Sequence, residues 1–76
     1  MTNDIPSQVI AFYQDRVPDH IVVTALTTFE EMQIEGEDKV VSIMELEESF
    51  NIPPDPHDAK NMYIVGDAIA LIERKI

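Results

Sequence analysis

Val65, Ala68, Ile69, Ile72 and Ile76 recur at i, i+3, i+4, i+7 and i+11, the spacing that lines one face of an α-helix. A one-sided apolar stripe has to be buried against something, and this chain supplies little besides further helices to cover it. Val9, Ile10, Tyr13 and Val17 fall at i, i+1, i+4 and i+8 behind Pro6, whose missing N–H costs nothing in a first helical turn. Ile43, Leu46 and Phe50 lie within about 60° of one another on a helical wheel, with Val40 and Met44 beside them. Prolines separate these segments. Pro18-Asp19 closes the first, predicted from Ile5 to Val17, and Pro53-Pro54-Asp55-Pro56 follows the second, predicted to begin near Glu37. Asp55-Pro56 reads as the N-cap and first turn of a short helix from His57 to Asn61.

The stretch His20 to Thr28 holds three consecutive β-formers, Ile21, Val22 and Val23. No second strand pattern exists to pair with it, and a lone strand leaves its backbone groups unsatisfied. A long, partly buried loop is expected instead, with Val22 and Leu26 as its core anchors. The expected fold is all-α: three longer helices, one short helix and a long first loop, in a single domain over residues 1–76.

Composition narrows the function. Seventy-six residues give one small core with little stability to spare. The absence of cysteine excludes a disulfide framework, a thiolate nucleophile and a thiolate metal site. No run approaches the ~18 apolar residues that span a bilayer. Asn3, Asp4 and Pro6 lack the basic and apolar character of a secretory leader, so a cytoplasmic protein is expected. Fifteen acids against five bases give a net charge of −10, which argues against binding nucleic acid or anionic membranes. Eight of those fifteen acids lie between Glu30 and Glu48. Such density is either a solvated face or a surface for a basic partner.

Catalytic chemistry has little to draw on. His20 and His57 are far apart in sequence and suit exposed or capping positions. A zinc site needs three or four converging ligands, and Glu35-Gly36-Glu37-Asp38 lacks the alternating oxygens of a calcium loop. Carboxylates on a solvated helix have no pocket to separate an acid from a base. A non-enzyme without a metal is expected.

The stretch from Phe29 to Ile52, FEEMQIEGEDKVVSIMELEESFNI, is followed by the proline break, Asp58-Ala59 and Val65-Gly-Asp-Ala-Ile69. This succession resembles the central and C-terminal segments of acyl carrier proteins. In that family an aspartate-serine-leucine triplet opens the second helix, and its serine carries 4′-phosphopantetheine. Here the triplet is Glu35-Gly36-Glu37, so the resemblance implies an acyl-carrier-protein-like four-helix bundle with Gly36 at the attachment position and no cofactor. Ser42 lies inside the helix, where the family has an apolar residue, and its hydroxyl is expected to bond back to a carbonyl. Ser7 and Ser49 have the wrong surroundings. Glycine is nearly as good an N-cap as serine, and Glu35 and Glu37 suit the positive end of the helix dipole.

The family presents this acidic helix to basic partners. By resemblance the face here comprises Glu35, Asp38, Val41, Met44, Glu45, Glu47 and Glu48, with Val41 in place of an acid. The implied partner is an enzyme of fatty-acid or polyketide metabolism with a basic surface, met by a monomer. The alternative is a small acidic helical adaptor or regulator unrelated to acyl transfer.

Overall fold

The computed structural model describes residues 4–76, so Asn3 lies outside it. Three α-helices run through those residues, α1 (Ile5–Gln14), α2 (Glu37–Ser49) and α3 (Val65–Lys75), with a 3₁₀ helix, Pro56–Asn61, between the last two. α1 packs on α3, and α2 packs on the 3₁₀ helix. The fold is the all-α bundle expected. No helix among the described residues is long and apolar enough to cross a membrane.

α1 starts where Asp4 accepts a hydrogen bond from the Ser7 backbone N–H at 2.9 Å, a side-chain cap on an otherwise orphaned donor. It ends at Gln14, three residues short of the expected Val17, although Val17 is still buried. Gln14 turns its amide onto the loop instead. Its Nε2 donates to the Ile21 carbonyl at 2.7 Å and its Oε1 accepts from the Val23 N–H at 2.9 Å. That clamp sets the phase of the loop and overturns the expected anchors: Val23 is buried, whereas Val22 is 75% exposed. Leu26, 79% exposed, stands on a turn closed by Thr24 N–H donating to Thr27 Oγ1 at 2.8 Å. Val23, Phe29, Met32 and Ile34 carry the loop's burial.

The loop also caps α3. The Val65 N–H donates to the Thr27 carbonyl at 2.9 Å and the Gly66 N–H to the Ala25 carbonyl at 2.7 Å, satisfying two first-turn donors. Thr28 and Ile64 form one isolated antiparallel bridge here. The approach is close: a Cβ added at Gly66 would sit 3.1 Å from the Ala25 oxygen, which would have to give by a few tenths of an ångström. Asp67 Oδ2 accepts from the Tyr63 and Ile64 N–H groups at 2.9 and 3.1 Å, completing the start of α3.

Val9, Tyr13, Ile43, Leu46, Val65, Ala68, Leu71 and Ile72 form the fully buried centre. Two expectations change. Phe50 is only half-buried, because α2 ends at Ser49 and Phe50 caps it at φ −103° rather than continuing the helical phase. Ile76 lies beyond α3 and is exposed, while Leu71, off the periodic stripe, is fully buried.

Tyr13 meets Phe29 edge-on, with centroids 5.3 Å apart, and its hydroxyl lies 3.2 Å from Ser42 Oγ. Ser42 in turn donates to the Lys39 carbonyl at 2.9 Å, the back-bond expected of a serine inside a helix. Burial pushes the Tyr13 hydroxyl up from 10.0 to about 12. The native state therefore keeps this proton longer than the unfolded chain does. Its contribution is complete below pH 10 and is lost as pH rises toward 12. Stability should fall by up to about 2–3 kcal/mol by the top of that window. Urea titrations across the range check this, and Tyr13→Phe should flatten the slope.

Candidate functional site

The start of α2 is built by a turn. The Asp38 N–H donates to the Glu35 carbonyl at 3.1 Å, closing residues 35–38 around Gly36. Gly36 has φ 59° and ψ −131°, the first central position of a type II′ turn and a region that favours glycine. Its carbonyl then accepts from the Lys39 and Val40 N–H groups at 3.2 and 3.3 Å, launching the helix. An added Cβ at Gly36 would meet nothing within 4 Å, so backbone conformation and not space selects the residue. This corrects the expectation of an ordinary N-cap, whose backbone is extended and tolerates serine. Gly36→Ser should cost about 1–3 kcal/mol, as left-handed strain does elsewhere. Urea denaturation of the variant measures it.

Of the expected docking positions, Glu35, Asp38, Val41, Glu45 and Glu48 are exposed and Met44 is half-buried. Glu47 is the correction. Its side chain is 0% exposed, because on α2 it lies one turn beyond Ile43 and beside Leu46, on the core side. Glu47 Oε1 accepts from the Asp55 N–H at 2.9 Å, and Oε2 lies 3.2 Å from Lys75 Nζ. Lys75 also pairs with Asp58, so one ammonium joins α2, the 3₁₀ helix and α3. Burial raises the Glu47 carboxyl above its ordinary value. The hydrogen bond to Glu47 holds Asp58 below the usual carboxylate range, with Lys75 adding to the effect. The hydrogen bond to Asp58 raises Lys75. Glu47 is thus part of what holds the helices together.

Glu45 is exposed but already paired. Arg16 Nη2 lies 3.3 Å from Glu45 Oε1, while Arg16 Nη1 donates to the Phe12 carbonyl at 3.1 Å. The guanidinium stacks 3.5 Å from the centroid of the Phe12 ring. Two grooves flank the start of α2. One, of about 360 Å³, is lined by Phe29, Ile34, Gly36, Lys39, Met62 and Tyr63 among others. Lys39 Nζ donates to the Met62 carbonyl at 2.8 Å, joining two of its lining residues. The other, of about 450 Å³, includes Arg16, Met32, Ile34, Asp38, Val41 and Glu45.

His57 is exposed, with its N–H donating to Asp55 Oδ1 at 3.0 Å, and His20 is exposed as well. Sequence reasoning missed Arg16, Lys39, Asp58 and Lys75. Arg16 and Lys75 reach partners 29 and 28 residues away, and no local pattern announces such pairs. One local signal was available: Thr28-Phe-Glu-Glu31 is a capping-box pattern. Its threonine and glutamate close on each other at 2.9 Å, so Glu31 is committed to the loop.

Helix order, the long first loop and the acidic second helix define a small all-α bundle of the carrier type. No family model matches the chain. Sixty of its residues, 79% of its length, are 42% identical to the chloroplastic acyl carrier protein 1 of Hordeum vulgare. That identity supports a relationship of this chain to the acyl carrier protein family. It spans 40% of that barley protein's length.

Proposed function

We propose that this chain works by docking to a basic surface on an enzyme of acyl metabolism, fatty-acid or polyketide, without carrying 4′-phosphopantetheine. The observation that carries this reading is Gly36. It provides no oxygen at the position corresponding to the family serine, and its backbone adopts φ 59°, which a serine there would have to strain to reach. The exposed acids Glu35, Asp38, Glu45 and Glu48, with the apolar Val41 and the half-buried Met44, supply the docking face. Ser42, buried and bonded to Tyr13 and Lys39, offers no substitute attachment point. On this reading the protein is a non-enzymatic, cytoplasmic monomer.

The test is incubation with coenzyme A and a promiscuous phosphopantetheinyl transferase, followed by intact mass measurement. The mass is expected to stay unchanged. Gain of one phosphopantetheine, mapped to a serine, would sink the reading. A second reading, a small acidic adaptor outside acyl transfer, draws on Val41, 51% exposed in the middle of the face, and on the withdrawal of Glu47 into the core. Neighbouring genes for lipid or polyketide enzymes favour the first reading, and their absence favours the second.

A further inference from the structure

Arg16 is a base placed among acids. Its guanidinium is fixed by the Phe12 ring and carbonyl on its own segment, so it does not depend on Glu45 for its position. From there it reaches Glu45 at 3.3 Å and forms one wall of the groove that Asp38 and Val41 also line. Met32, Ile34 and Val41 give the groove an apolar stretch beside Gln33 and Ser42, and Asp38 adds an exposed carboxylate to its lining. A segment fitting this groove would present an apolar side chain to that stretch and a cation to each acid. The cation site at Glu45 is already filled from within the chain.

We propose that Arg16 is an intramolecular competitor for the docking face, and that a basic partner segment engages Glu45 only by displacing the Arg16 guanidinium. This rests on the docking reading above. The occupant is argued from charge complementarity: two carboxylates, Asp38 and Glu45, line the groove together with Met32, Ile34 and Val41 on a chain of net charge −10. Arg16 and Glu45 are both substantially exposed, with side chains 36% and 51% accessible, so the internal pair is weak enough for a partner to break. Arg16 then sets specificity. A single isolated lysine gains little by exchange, whereas an arginine flanked by an apolar residue replaces the guanidinium's ion pair and covers the apolar stretch together.

The probe is an amidated helical peptide bearing a leucine with an arginine one turn away on each side. It is titrated into the full chain with heteronuclear NMR, which reports affinity and footprint at once. Arg16→Gln should tighten binding about two- to fivefold, the range open to an exposed ion pair. The shifts should fall at Asp38, Val41 and Glu45. Arg74→Gln removes the same charge outside this groove and should leave affinity nearly unchanged. Glu45→Gln should weaken the peptide and abolish the benefit of Arg16→Gln in the double variant. Glu45→Gln keeps the assay informative if Arg16→Gln loosens the end of α1. Equal tightening by Arg16→Gln and Arg74→Gln would mean net charge alone acts and would overturn the proposal. Unchanged affinity in Arg16→Gln, with shifts in the same groove, would overturn it while leaving docking intact. If the peptide moves none of these signals in any variant, the docking reading fails and this proposal goes with it.

Discussion

Glu47→Lys should unfold a large fraction of the protein at 25 °C, while Glu48→Lys, one residue along, should leave the unfolding midpoint almost unmoved. The two acids are adjacent in sequence but occupy opposite environments: Glu48 is exposed, and Glu47 is 0% exposed with Asp55 N–H and Lys75 as its partners. Lysine at 47 would place a second ammonium beside Lys75 and remove the acceptor that the Asp55 N–H requires. Breaking a buried pair in this way costs about 3–5 kcal/mol. A domain this small has about 5 kcal/mol in total. Glu47→Gln keeps an acceptor for Asp55 and should recover part of the loss. Urea denaturation followed by circular dichroism separates the variants, and equal stability of Glu47→Lys and Glu48→Lys would place Glu47 on the surface after all. Charge reversal at position 47 therefore reports on folding. Tests of docking belong at Asp38, Glu45 and Glu48.

The helices were legible because periodicity is a local property. The spacing of Val65, Ala68, Ile69 and Ile72, the Pro6 and Asp55-Pro56 starts, and the helix opening at Glu37 all appear where the residues place them. What escaped was decided by side chains reaching across the fold. Val22 and Val23 have nearly the same claim to burial in sequence, and the Gln14 amide, seven to nine residues away, chooses between them. Glu47 reads as one more surface acid until Lys75, 28 residues later, meets it. Phe50 belongs to the apolar wheel only if α2 continues past Ser49, and it does not. The candidate site was half legible. The glycine at position 36 is written in the sequence, but its positive φ and the pairing of Glu45 with Arg16 are not.

Leu46→Ala should be among the most damaging apolar truncations in α2, at about 2–5 kcal/mol for a fully buried leucine. Leu46 and Ile43 are the two apolar α2 side chains with no exposed surface, and they hold the helix against the rest of the core. Phe50→Ala should cost less than Leu46→Ala despite the larger side chain. Phe50 sits at the C-cap, packs only partly against the core and leaves less of a sealed cavity when truncated. Side-chain volume alone gives the reverse order, so the pair discriminates between helix phase and size. Thermal melts and urea titrations of both variants settle the order, and a greater loss in Phe50→Ala would mean that the helical phase extends past Ser49. The same measurement bears on docking. Asp38, Val41 and Glu45 lie on the outer side of the helix that Leu46 anchors, so loosening it should blur the groove with Arg16 before the whole domain melts. In Leu46→Ala, loss of peptide affinity at temperatures below the melting transition would show that the anchoring of α2 controls the shape of its outer face.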